Sequence, residues 1–232
     1  RGYTDIIDIW GSDHHGYISR VKAAIDAMGY DSKKLTVLLV QFVSLWRGGE
    51  MVQMSSRSGQ FVTLRDLRKE VGNDAARFYY VMRKSEQHID FDLDLAVSQS
   101  KDNAVYYIQY AHARVNSILN RAKEKGITFD VASARQVANL LVLETETEIL
   151  AKLAAYPEIL IRAANVYEPH QIGNYLKDLA ALFHGWYAQD GVKFVDETNI
   201  PLSQARLLLS INVQQVLRNG LELLGVSAHE PM

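Results

Sequence analysis

The sequence predicts an α/β segment followed by an all-α helical bundle. In the first ninety residues, short β-branched runs alternate with glycine stops and one helical stretch. From about residue 93 onward, long helical patterns follow one another with single breakers between them. The chain has 232 residues and 48% hydrophobic content, enough to fill cores for one large domain or two small ones.

Element by element, Ile6-Ile7-Asp8-Ile9-Trp10 is short, β-branched and stopped by Gly11, which predicts a buried strand. Gly16 to Met28, closed by Gly29, predicts a helix, giving a strand-loop-helix unit. Leu35 to Trp46 is apolar and β-rich, Gly48-Gly49 is a turn signal, and Glu50 to Met54 alternates again, which together predict a hairpin. A polar loop, SSRSGQ, follows. Thr63 with Asp66 three residues on reads as a capping box, and Asn73 is placed to cap a helix reaching Met82.

The acidic stretch SEQHIDFDLDLA reads as a connector, so the domain boundary is expected there, giving domains at residues 1–92 and 93–232. Beyond it the periodicity predicts helices at about 102–125, 135–155, 158–167, 170–189 and 202–224. Gly126, Pro157, Pro169, Gly191 and Pro201 break them, and Gly225 sits at a helix C′ position. This half is expected to be a helical bundle.

Composition excludes several classes. No apolar run approaches the roughly 18 residues of a membrane helix, and the opening RGYTD lacks a signal-peptide pattern, so no membrane partner is expected and the cytosol is the default compartment. Without cysteine there is no disulfide framework and no thiolate metal site. The chain opens on Arg1 and closes on GVSAHEPM, which gives the expectation of trimming on the N-terminal side only. Formal net charge is −2, split as +2 over residues 1–90 and −4 over residues 91–232. A nucleic acid bound by the second part must therefore use a local patch, and His112, Arg114, Arg121, Lys123 and Lys125 in one helical stretch form the best one.

Two segments carry candidate chemistry. Gly11-Ser12-Asp13-His14-His15-Gly16 follows a strand and opens a helix, where ligands of open α/β sheets sit and helix N-termini favour anions. Asp13 could accept hydrogen bonds from a ribose or a cationic substrate, and His14 could donate or accept near neutral pH. The same residues also suit a plain helix cap in a solvated loop. Adjacent histidines point apart and no third ligand is evident, so no metal site is expected. Gln53-Met54-Ser55-Ser56-Arg57-Ser58-Gly59 is a small-residue loop whose amides, hydroxyls and guanidinium could close over a polyphosphate, or simply form a solvated turn.

Together, WGSDHHGYISRVKAAIDAMGYD, the apolar hairpin and MVQMSSRSGQFVTLRDL resemble the second half of a class I aminoacyl-tRNA synthetase catalytic domain, a Rossmann-type fold. QMSSR stands where that family has Lys-Met-Ser-Lys-Ser, with Gln53 and Ser56 replacing the lysines, a degeneracy similar to that of arginyl-tRNA synthetases. AVYYIQYAHARVNSIL, residues 104–119, resembles the opening helix of the arginyl enzymes' anticodon-binding domain, with the hallmark at Gln109 to Arg114. ARLLLSINVQQVLRNGLELLGV resembles that domain's last helix, with Ala-Arg-Leu at 205–207 and Asn-Gly-Leu at 219–221.

The resemblance implies that the parent activates L-arginine with ATP and Mg2+ and transfers it to tRNA(Arg), as a monomer. It implies that Ser55, Ser56 and Arg57 close over the phosphates, and that Gly11, Asp13, His14, Gln53 and Met54 line the arginine and ATP pocket. It places anticodon contacts at Tyr106, Gln109, Tyr110, Arg114, Tyr187 and Met232. Tyr106, Tyr110 and Arg114 share one helical stripe, which suits base stacking with a guanidinium beside it. The family's His-Ile-Gly-His signature is absent from these 232 residues, so this chain alone is expected not to aminoacylate. A cysteinyl enzyme, a free-standing tRNA-binding module and a helical protein-interaction domain are the alternatives.

Overall fold

The computed structural model describes residues 2–54 and 61–228. The chain divides into two compact units, one of residues 1–62 with 83–94, the other of 63–82 with 95–232. Helices of residues 63–82, which the sequence division leaves with the first part, thus pack in the helical unit.

In the first unit, β1 (Ile6–Gly11) pairs in parallel with β2 (Leu35–Val40), and α1 (Ile18–Ala27) crosses between them after a 3-10 helix, Ser12–Tyr17. β3 (Val43–Arg47) turns into β4 (Glu50–Met51) through Gly48 and Gly49, whose φ angles of 60° and 78° suit a two-residue hairpin turn open to glycine. The hairpin is therefore as expected. The apolar run before it is two strands rather than one, breaking at Gln41 and Phe42 and contributing to two sheets.

Two expectations fail here. β1 is not buried: Ile6, Ile7 and Ile9 are exposed at 48%, 44% and 68%, because β2 is its only sheet neighbour among the described residues. The acidic connector contains a strand, β5 (Ile89–Asp92), parallel to β3 in the register Leu45 to Phe91, and then α4 (Leu93–Val97). Ile89 and Phe91 point into the core while Asp90 and Asp92 face out, the alternation of a half-buried strand. Asp90 also accepts from Trp46 Nε1 at 2.9 Å, so the acids that look like linker are sheet-rim partners.

The second unit opens with α2 (Leu64–Val71) and α3 (Asn73–Val81). Thr63 caps α2, accepting from the Asp66 amide at 3.1 Å. Asn73 does not cap α3. Gly72, at φ +84°, occupies that position, a conformation asparagine tolerates less well than glycine, and Asn73 becomes the first helical residue.

Three long helices, α5 (Ala104–Glu124), α9 (His170–Ala188) and α10 (Ile200–Leu223), pack against one another. Ile108, Ala111 and Val115 of α5, Leu176, Leu179 and Phe183 of α9, and Leu207, Ser210, Val213 and Leu217 of α10 have no exposed surface. Each set recurs every three or four residues, so one face per helix makes the core. Asn103 caps α5, Asp130 caps α6 (Val131–Gln136), and Gly225 ends α10 with Val226 N–H bonded to Leu221 at 2.9 Å.

The single helix expected at 135–155 is instead α6, a 3-10 turn at Ala138–Leu140 and α7 (Glu144–Ala154), followed by α8 (Tyr156–Asn165). No glycine or proline marks the break. Its cause is Glu146, which is fully buried, accepts from the Leu143 amide at 3.1 Å and from Arg206 at 2.8 Å, and so fixes a new helix start at Glu144.

Candidate functional site

In the first unit, Gly11 ends β1 and the 3-10 helix follows directly, which sets Asp13 and His14 beyond the strand's carboxyl end. A Cβ on Gly11 would meet Asp13 Oδ1 at 2.5 Å, so the turn admits glycine alone without displacing the carboxylate. Asp13 and His14 lie 3.6 Å apart, each more than half exposed, and could face a polar ligand together. Ser12 donates to Gln41 at 3.1 Å and His15 faces the Ser12 carbonyl, which anchors the turn. Gln53 and Met54 follow β4 and are exposed. Ser55, Ser56 and Arg57 lie outside the described residues.

The helical unit assembles a second site. Tyr106 and Tyr110, one turn apart on α5, stack with centroids 5.9 Å apart and planes 9° from parallel. One turn further, the Arg114 guanidinium lies 4.5 Å over the Tyr110 ring and 4.5 Å over the Tyr187 ring, which α9 supplies. The cation is thus held between two aromatic faces, a favourable quadrupole contact on each side. Tyr110 and Tyr187 are each 37% exposed, so the column reaches the surface. Arg114 donates to Tyr110 Oη at 3.2 Å and pairs with His184 Nδ1 at 2.9 Å, and its other donors have no partner among the described residues.

Next to the column a groove of about 570 Å³ runs from Tyr187 past Ser117, Arg121, Lys125, Lys193 and Thr198. Lys125 bonds Glu197 at 2.9 Å and Lys193 lies 3.8 Å from Asp196, while Arg121 is exposed on α5. Phe194 packs 5.5 Å from Tyr187 and 4.3 Å from Trp186, fixing the tyrosine from behind.

The structure therefore brings Tyr106, Tyr110, Arg114 and Tyr187 together and places two predicted residues elsewhere. Gln109 is 6% exposed, and its amide donates to Asp74 at 3.2 Å and to the Ser227 carbonyl at 2.8 Å, a tie between α5, α3 and the tail. It lies a quarter-turn from the tyrosine stripe, so the helix turns it inward. His112 is likewise fully buried and leaves the expected basic patch. Met232 lies outside the described residues. His184 was missed, although its position three residues before Tyr187 puts it on the same face of α9, which is the signal that could have found it.

A DALR anticodon binding domain model matches residues 108–232, more than half the chain. The chain belongs to the DALR anticodon binding domain family. Over its full length it is 81% identical to the arginine–tRNA ligase of Acinetobacter baumannii strain AYE and 60% identical to that of Psychrobacter sp. strain PRwf-1. It spans 38% and 39% of those two proteins. A solved arginyl-tRNA synthetase from Campylobacter jejuni superposes with a TM-score of 0.85 at 34% identity, covering all of this chain and 49% of that one. The arginyl-tRNA synthetase of Thermus thermophilus does so at 0.74 and 25% identity, covering 99% of this chain and 41% of that one.

The resemblance to arginyl-tRNA synthetases thus extends over the whole chain, and the α10 motif and the Gln109–Arg114 hallmark of α5 fall inside the DALR match. The chain is mostly helical. No helix of the described residues is long and apolar enough to cross a membrane.

Proposed function

We propose that this chain is the anticodon-reading portion of an arginine–tRNA ligase and that it binds tRNA(Arg) through the Tyr106–Tyr110–Arg114–Tyr187 column. The observation that carries the reading is Arg114 held between two half-exposed tyrosine rings. Single-stranded loops are recognised by stacking bases on aromatic or guanidinium planes and bonding their edges, and this column offers both. The adjoining groove offers the exposed Arg121, beside the Lys125–Glu197 and Lys193–Asp196 pairs, as a place for a backbone phosphate that flanks a stacked base.

In the first unit we assign β1, β2 and α1 to the later part of a Rossmann-type catalytic domain. The exposed isoleucines of β1 and its open edge suit a sheet that continues in the remaining length of the relatives. Asp13 and His14 would face arginine and the adenylate there, and Ser55, Ser56 and Arg57 would close on the phosphates of ATP. The parent reaction would be in-line attack of the arginine carboxylate on the α-phosphate of ATP, the new carboxyl–phosphate bond forming as the α–β phosphoanhydride bond breaks and pyrophosphate leaves, driven by positioning and electrostatic stabilisation.

Nucleotide-resolution chemical probing of tRNA(Arg) bound to the chain tests the reading. Protection centred on the anticodon loop is expected. Protection confined to the acceptor stem, or none at saturating protein and low salt, overturns it.

A further inference from the structure

His184 lies beneath the aromatic column, 8% exposed. Its Nε2 is 3.1 Å from the Tyr107 carbonyl, which can only accept, so Nε2 carries the proton. Its Nδ1 is 2.9 Å from Arg114 Nη1, which can only donate, so Nδ1 carries a lone pair. The two partners together select one neutral tautomer. A proton on Nδ1 would point N–H at N–H and bring a second positive charge against the guanidinium.

The rings around it leave little freedom, with Tyr107 at 4.4 Å and Tyr110 at 5.6 Å. The titratable and charged groups that face it are Tyr107, Tyr110 and Arg114 from α5 and Tyr187 one turn along α9. No carboxylate among the described residues pairs with it. Burial favours the neutral ring most, the Tyr107 carbonyl opposes this, and the Arg114 charge reinforces it, so its pKa falls below the ordinary histidine value.

We propose that neutral His184 is the positioning residue of the RNA face, its Nδ1 lone pair holding Arg114 in the slot between the Tyr110 and Tyr187 rings. This rests on the reading of that face as the tRNA surface. Arginine alone has several rotamers along its stem, and an unanchored guanidinium would spend part of its time away from the slot. His184 fixes one end, the Tyr110 hydroxyl the other, and the remaining N–H donors are left in a set direction for a base edge or phosphate.

The test uses the 232-residue chain and an anticodon stem–loop transcript of tRNA(Arg) at pH 7.5. Arg114→Ala, His184→Phe, His184→Asn and the Arg114→Ala/His184→Phe pair are compared by affinity. His184→Phe is expected to weaken binding about tenfold, as loss of a hydrogen bond to a charged group would. The double variant is expected to bind no worse than Arg114→Ala, and His184→Asn, whose Oδ1 keeps an acceptor near Nδ1, to recover most of the affinity.

A histidine that only fills space would leave His184→Phe at full affinity or make the losses additive, and either result with Arg114→Ala weakened overturns the positioning role. Full affinity in Arg114→Ala would overturn the RNA-face reading instead, and the two failures are distinct. Nitrogen-15 spectra of the unmodified chain give an independent check should His184→Phe not fold. An Nε2–H neutral ring at pH 7 is expected, and an Nδ1–H or doubly protonated ring overturns the proposal.

Discussion

Arg206 on α10 donates from Nε to Oε1 of Glu146 on α7 at 2.8 Å, with both side chains enclosed by the helical core. Arg206 also reaches the Lys193 carbonyl at 2.9 Å, and Glu146 also accepts from the Leu143 amide. The pair therefore joins α7, α10 and the segment leading to the groove. Nε and Nη1 of the guanidinium and both carboxylate oxygens are thereby engaged, which is the kind of hydrogen bonding a buried pair needs.

Glu146→Ala strands the Arg206 charge and uncaps α7. A loss of about 3–5 kcal/mol in unfolding free energy is expected, read from urea denaturation. Replacing both residues by apolar ones of similar volume should restore much of it, since the penalty comes from the orphaned charge.

Two helical glycines are expected to respond in opposite directions. A Cβ on Gly220 would meet the fully buried Leu176 side chain at 2.5, 2.9 and 3.0 Å, so Gly220→Ala should cost roughly 1–3 kcal/mol by overpacking the α9–α10 contact. Gly185 is exposed and meets nothing within 4 Å, so Gly185→Ala should stabilise by up to about 1 kcal/mol through helix propensity. Thermal melts of the two variants beside the parent chain decide both.

His184 gives a pH dependence whose sign follows from burial. Its pKa in the folded chain is below the ordinary value, so the unfolded chain binds the proton more readily. Stability from this group is complete above about pH 6.5 and declines as pH falls from there toward the folded pKa. Denaturation midpoints at pH 7.5 and 5.5 should differ more for the parent chain than for His184→Asn. Equal differences would place the titration elsewhere.

What the sequence made legible tracks how far a residue's role depends on its own neighbours. α5, α9 and α10 were read within a few residues of their ends because their apolar stripes and their breakers, Gly126, Pro169, Pro201 and Gly225, are local signals. The Tyr106, Tyr110 and Arg114 stripe was read for the same reason, since helical spacing alone aligns it. The break before α7 was not legible, because Glu146 is held by Arg206, 60 positions away. β5 was hidden by its acids, although Ile89 and Phe91 alternate with them. Gln109 looked like a surface contact only because the motif was read whole. The quarter-turn that buries it was there in its number. Tyr187 came from family resemblance, and His184 required the approach of α9 to α5.

Arg114→Lys keeps the charge and loses the plane. A lysine cannot lie flat between Tyr110 and Tyr187 or reach His184 and Tyr110 together, so stem–loop affinity is expected to fall about tenfold with melting behaviour close to the parent's. Isothermal titration beside a thermal scan separates lost recognition from lost folding.

The most direct measurement is the affinity of the chain for the tRNA(Arg) anticodon stem–loop against the same stem with its loop replaced, both at one fixed salt concentration. Phosphate contacts are common to the two, so a difference reports the loop bases. Preference for the natural loop by at least about tenfold, lost in Arg114→Ala, is the expected result. Equal affinity for the two loops, unchanged in Arg114→Ala, would contradict anticodon reading by the tyrosine–arginine column.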